Sequence, residues 1–159
     1  FQNQFTKTTT DANLMETVQH GSTEYPFRYY YENIALFDFK CIDWHWHSEL
    51  EFIYIESGNV VFDIGTVHFE LNEGNGIMIN SKILHRLQSS SDAIIPNFLF
   101  QPSFIASQDS LIYKKYISPV ISSSLEYLVF QPDIPWQKKA LEIIKTIIAI
   151  NTPISANTL

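Results

Sequence analysis

The residues best equipped for chemistry in this chain are three histidines and one glutamate: His45, His47, Glu51 and His85. Imidazole nitrogens and carboxylate oxygens are ligands for first-row divalent metals. They are equally the donors and acceptors that hold a polar small molecule in a pocket. On a β-strand, side chains at i and i+2 share a face, so His45 and His47 point one way and Trp46 the other. Glu51 has the same parity, but a straight strand would carry it about 13 Å from His47, at roughly 3.3 Å per residue. One shared ligand therefore requires a bend near residues 48–50. Three His and one Glu make a credible shell for Zn, Ni, Mn or Fe. The same four side chains could instead hydrogen-bond a sugar. They could also satisfy one another in a polar core, because unpaired buried polar groups are costly.

The remaining candidates are weaker. His20 lies in a polar leading segment and is expected to be solvated. His68 alternates with Val67 and Phe69 and is expected on an outer face. Trp44 and Trp46 flank the histidines but have the opposite parity, which points to core packing. Arg28 could reach into a cavity, yet an Arg at such a position more often faces outward.

The elements that must position these groups read mainly as strands. Tyr25–Tyr31 is aromatic and β-prone after Pro26. Ile34–Ile42 alternates and reads as a second strand. Glu51–Glu56 follows the histidine bend, then Ser57-Gly58-Asn59 signals a turn. Val60–Ile64 and Val67–Leu71 flank Gly65-Thr66 as a hairpin. Residues 77–79, 84–87 and 94–101 complete the β region, with Pro96 marking its strand as an edge or a bulge. Short strands at regular spacing point to a sandwich or barrel.

Beyond Gln101 the pattern changes. Residues 102–106 and 111–117 read as helical or irregular, and 127–130 is ambiguous. Pro132, Asp133 and Pro135 announce a helix. From Trp136 the apolar positions are 136, 140, 143, 144, 147 and 148, widened by Leu141 and Ile150, opposite Gln137, Lys138, Lys139, Glu142 and Thr146. One side of that stripe must pack on the barrel, and the extra width suits a second subunit. Residues 1–24 are polar; Leu14, Met15 and Val18 suggest one weak helical turn. The segment reads either as a mobile terminus or as an arm.

Composition narrows the function classes. The chain has 159 residues, 45% of them apolar and 14% aromatic, enough for one domain with a real core. Ten basic against 17 acidic residues give a net charge of −7, and no Lys or Arg run exists. Phosphate neutralisation by this stretch is therefore not expected. The apolar stretch near residues 141–150 is broken by Glu142 and Lys145 and does not read as a membrane span. A polar start and the single Cys41 suit the reducing cytoplasm. Five glycines without a phosphate-loop pattern argue against nucleotide binding.

His45, His47, Glu51 and Gly58 fit H-x-H-x3-E-x6-G, so this stretch resembles the first motif of the cupin superfamily. Gly74 and His85 fit the second motif, which is looser elsewhere. Asn75 stands where Asp is usual, Asn80 where Pro is usual, and Ser89 where Asn is usual. The runs HWHSELEFIYIESGNVVFDIG, LNEGNGIMINSKILHRL and FLFQPSFI resemble the N-terminal effector-binding domain of AraC-type transcription regulators, over about residues 25–150.

That resemblance implies a mainly β fold, a cupin-like double-stranded β-helix (jelly-roll) barrel followed by C-terminal α-helices. It divides the chain into an N-terminal arm (1–24), a barrel (25–101), a helical segment that could form a dimer interface (102–151) and a tail or linker (152–159). It implies an effector sensor rather than an enzyme. A small polar metabolite, expected to be a sugar, would contact His45, His47, Glu51 and His85. The same four residues are the candidate metal ligands, with no cofactor required. In such proteins an arm can fold over the effector, and domains commonly form homodimers through C-terminal helices. DNA would be bound only by a domain absent from this chain, expected beyond Leu159, since no helix-turn-helix pattern occurs here. Two rivals remain: a metal-dependent cupin enzyme, such as a dioxygenase or isomerase, and a stand-alone carbohydrate-binding module. The relaxed second motif speaks against the enzyme.

Overall fold

The strands are rich in apolar, β-branched and aromatic residues, and burying them builds two facing sheets. The computed structural model of the protein describes residues 6–153. Strands β1 (Phe27–Asn33), β2 (Cys41–His45), β3 (Leu50–Tyr54), β4 (Asn59–Ile64), β5 (Val67–Asn72), β6 (Gly76–Ile79), β7 (His85–Gln88), β8 (Ile94–Phe100) and β9 (Tyr127–Phe130) pair antiparallel. One sheet has the order β1-β8-β3-β6-β9 and the other β2-β7-β4-β5. This is the cupin-like jelly-roll barrel expected from the sequence. Ile53, Ile55, Phe62, Ile64, Ile79, Leu87 and Ile95 fill its interior.

A second apolar cluster lies on the outside of the five-stranded sheet. There helix α2 (Pro135–Asn151) lays Leu141, Ile144 and Ile148 against Met78, Phe98 and Phe130. Pro135 at the first helical position suits the start of that helix. Gly76 makes the seat: a Cβ there would lie 2.8 Å from Leu141 Cδ2. The buried face is thus centred on Leu141, which the sequence had set at the margin of the stripe. Ile143 is 57% exposed and Trp136 is also exposed. Between β8 and β9, a short helix α1 (Ser118–Ile121) follows a π-turn at Tyr113–Ile117. Asn80 pins this connection by donating to the carbonyls of Val120 and Leu125. That is a use for an amide where the motif that the stretch resembles usually has Pro.

Three local expectations are corrected, and a fourth, that Pro96 marks an edge or a bulge, is settled as the bulge. Ile34–Ile42 is not a strand: 3-10 turns at Ile34–Leu36 and Asp38–Lys40 occupy it, and Phe39 and Lys40 adopt φ of +58° and +52°. Apolar alternation there serves two turns, with Ile34 and Phe37 buried and Phe39 99% exposed. Pro96 lies not on an edge but in β8, between β1 and β3. Its missing donor is accommodated by a bulge. Between the pair Ile53–Asn97 and the bridge Ser57–Ile94, three residues on one side oppose two on the other. Residues 14–18 form no helical turn; Met15 bridges Trp46 in parallel, and Leu14 takes φ +65°. Trp44 and Trp46 are only half-buried. Arg86 covers the Trp44 ring at 5.0 Å, and Trp46 Nε1 donates to the Asn13 carbonyl at 2.9 Å.

Candidate ligand and metal site

Two adjacent strands of one sheet and the central strand of the other deliver His45, His85 and Glu51, and the connection between β2 and β3 delivers His47. His45 ends β2 and is opposite His85, the first residue of β7, with ring centroids 4.2 Å apart. The chain then bends at Ser48-Glu49. Ser81 Oγ donates to the Ser48 carbonyl at 2.6 Å and Lys82 N–H to the His47 carbonyl at 2.8 Å, which pins the bend. Glu51 follows in β3, paired with Ile79 on one side and Leu99 on the other. One ligand atom from each of His45, His47, Glu51 and His85 lies within 4.8 Å of every other, and all four residues are buried.

The imidazoles are oriented by backbone carbonyls. His45 Nδ1 is 2.7 Å from the Asp43 carbonyl, His47 Nδ1 3.0 Å from that of Glu49, and His85 Nδ1 2.7 Å from that of Ile83. A carbonyl only accepts, so each Nδ1 must carry hydrogen. In the neutral rings the Nε2 lone pairs are then left free. Glu51 Oε1 lies 3.2 Å from Nε2 of both His47 and His85. Lone pairs and a carboxylate converging on one spot require either a proton or a cation between them. Protons supply the balance in the metal-free protein. Burial alone would lower the His47 pKa, but the hydrogen bond and charge of Glu51 outweigh it and raise it to about 9. Burial would raise the Glu51 carboxyl, yet His47 and His85 hold it well below the usual carboxylate range. Burial, with His85 alongside, depresses His45 to about 3.

This donor set fits a divalent first-row cation. Backbone acceptors on the non-ligating ring nitrogens are the usual support of metal-binding histidines. His45, His47, Glu51 and His85 would hold it. Such an ion would act as a Lewis acid toward a ligand oxygen.

Residues that the sequence reading left out complete the cavity. His20 is not solvated: it is 6% exposed, shares a 2.6 Å hydrogen bond with the Tyr30 hydroxyl, and lies 3.0 Å from Glu16. Glu16 also reaches His45, at 3.8 Å. Burial would raise the Glu16 carboxyl, but the neighbouring imidazoles, His20 foremost and then His45 and His47, lower it. Glu32 and Asn97 lie deeper, joined by a 2.8 Å hydrogen bond. Burial pushes Glu32 up to about 8, against the Asn97 hydrogen bond and with help from Glu51 and Glu16. A signal for Glu32 existed, since it shares the inward parity of β1 with Tyr30. Glu16 and His20 had none, because they lie outside every regular element.

Lys7, Thr8, Thr9 and Val18 also line the cavity, which leaves about 50 Å³. That is room for a few waters. Arg28 is exposed and lies over the Tyr30 ring, outside this lining. His68 is on the outer face of the four-stranded sheet, paired with Asp63.

Residues 37–113 match the family model of AraC-like ligand binding domains. An uncharacterised helix-turn-helix-type transcriptional regulator of Bacillus subtilis, YdeC, is 33% identical over 140 residues, covering 86% of this chain. The chain spans about half the length of that relative, 47%. Among solved structures, a conserved protein of unknown function from Streptococcus pyogenes aligns at TM-score 0.44 and 18% identity, over 48% of this chain and 66% of its own. A cupin superfamily protein from Desulfitobacterium hafniense aligns at TM-score 0.44 and 10% identity, over 48% and 68%.

Proposed function

Since residues 37–113 belong to the AraC-like ligand binding domains, we propose that this chain senses a small polar effector, a sugar or related metabolite, for a transcription regulator. In this reading the DNA-binding part is a separate domain. The observation that carries it is the polar cavity inside the barrel, where His45, His47, Glu51 and His85 meet beneath a segment supplied by residues 7–20. Two features support a neutral, hydroxyl-rich effector. Glu16 and Glu51 are opposed in the lining by Lys7 and by His47, raised to about 9, while Glu32 is raised to about 8, so the cavity carries no excess of positive charge that would select an anion. Buried carboxyl, amide and imidazole groups can each donate to or accept from a hydroxyl.

At about 50 Å³ the cavity is far below the ~300–1,000 Å³ of typical ligand pockets. Effector entry thus requires the segment at residues 7–20 to move. The effector regulates by favouring one position of that segment over the other. A homodimer through α2 belongs to the same proposal. Ile143 and Ile150 stay exposed and, with Phe52, Phe98 and Phe100, border an apolar groove of about 480 Å³ on the barrel's outside. Among the described residues no helix is long and apolar enough to cross a membrane, and the lone Cys41 fits a reducing cytoplasm.

A thermal-shift screen of neutral sugars, sugar acids and divalent cations tests this reading. Stabilisation by a neutral sugar supports it, and stabilisation only by sugar acids rejects the effector class. The second reading, a metal-dependent enzyme, draws on the convergence of three Nε2 atoms and Glu51. Oxygen consumption by metal-loaded protein would favour it over a sensor.

A further inference from the structure

Glu16 reaches the quartet from a part of the chain that no strand contains. Its backbone is held firmly: the Glu16 N–H donates to the Trp46 carbonyl at 2.9 Å, and the Trp46 N–H donates to the Leu14 carbonyl at 3.0 Å. Met15 therefore bridges the residue between His45 and His47. The Glu16 side chain is 15% exposed, and its two carboxylate oxygens lie 3.0 Å from His20 Nε2 and 3.8 Å from His45 Nε2.

Two features of that geometry point the same way. Donors bound to one first-row cation at ~2.0–2.2 Å each stand roughly 3–4 Å apart. The Glu16–His45 separation is that of two ligands of a common ion, although Glu16 is outside the tight four-residue group. Charge points the same way. A divalent cation among three neutral imidazoles and one carboxylate leaves one positive charge uncompensated in a buried site, which is costly. A second carboxylate cancels it.

We propose that Glu16 is a fifth ligand for a divalent cation held by His45, His47, Glu51 and His85, so that the cation clamps the N-terminal segment over the cavity. This rests on the metal-binding reading of the quartet. On binding, the Glu16 carboxylate leaves His20 for the ion, and His20 keeps its bond to Tyr30. The segment that closes the cavity is then fixed by a coordinate bond in addition to its two backbone bonds at Trp46. The cation sets how readily an effector can open the site.

The test is titration of Mn²⁺ into the wild-type protein and Glu16→Gln, reading free Mn²⁺ by electron paramagnetic resonance. Amide hydrogen exchange of residues 7–18 is measured in parallel. The wild type should bind one Mn²⁺ and gain protection in that segment. Glu16→Gln should bind roughly 10- to 100-fold more weakly, and saturating it should leave exchange in the segment unchanged. Absence of Mn²⁺ binding by the wild type would overturn the metal reading and the clamp together. Equal affinity in the two proteins would overturn the fifth ligand while leaving the four-residue site standing. Weakened binding with protection still gained at saturation would overturn the clamp.

Discussion

His85 Nε2 lies 3.2 Å from Glu51 Oε1, across 34 positions of sequence and from one sheet to the other. That contact ties the two halves of the barrel at its polar end. His85→Ala should remove it together with a ligand. We expect the variant to remain cooperatively folded, destabilised by about 1–3 kcal/mol because Glu51 loses a buried partner. On the proposed metal reading divalent cations raise the melting temperature of the wild type, and in the variant that rise should vanish. Paired thermal melts with and without Mn²⁺ check both points, and an undiminished shift would remove His85 from the site.

Glu32 gives a pH signature. Its carboxyl is raised from 4.5 to about 8, so the folded state holds the proton more tightly than the unfolded chain. Stability from this group is full below pH 4.5 and is lost as the pH climbs to about 8. Glu32→Gln mimics the protonated form and should gain on the wild type across that window, by a few kcal/mol in order of magnitude at its upper end. His47, raised to about 9, tilts both proteins the same way. The difference between their urea midpoints at pH 5, 7 and 9 is therefore the readout. A constant difference would mean that Glu32 is already ionised when folded.

The exposed side of α2 can be separated from its buried side. Ile144 packs on the sheet, so a charge there would unseat the helix. Ile143 is exposed and borders the apolar groove. Ile143→Asp should leave the melt of a monomer within about 0.5 kcal/mol yet halve the mass seen by light scattering if α2 joins two copies. An unchanged dimer mass would put the interface elsewhere.

Gly58, the glycine of the first motif, has φ +85°, and a Cβ there would stand 2.5 Å from the Asp92 carbonyl oxygen. Both atoms are backbone-bound and cannot step aside. Gly58→Ala should cost ~2 kcal/mol or more, seen as a lower urea midpoint with an unchanged m value.

Much of the site was legible because strand parity and ligand chemistry are both local properties of sequence. His45 and His47 share a face by alternation, and Glu51 could join them only through the bend that Ser48-Glu49 makes. Glu16 and His20 were illegible because tertiary contacts, backbone bonds to Trp46 for Glu16 and the Tyr30 hydroxyl for His20, bring them in, and no repeating pattern does. The same limit explains the misread stretch at residues 34–42. Its alternation is real, but the left-handed backbone at Phe39 and Lys40 turns it into two turns, and neither residue type announces that conformation. Pro96 signalled an edge or a bulge, and it is the bulge: a proline forbids one ladder bond, not an interior position, once the neighbouring strand carries an extra residue. The helix was visible from its period, whereas its buried centre depended on the bare backbone of Gly76.

That bare backbone matters beyond packing. Residue 76 pairs with Tyr54, three positions along from the carboxylate of Glu51 on the same strand. Leu141 rests directly on it. The route from the strand of Glu51 to the helix therefore runs through the main chain of residue 76 and a single side chain, that of Leu141. Polar interior and outer helix are thus one residue pair apart across the sheet, and a bulkier side chain at position 76 would wedge them asunder.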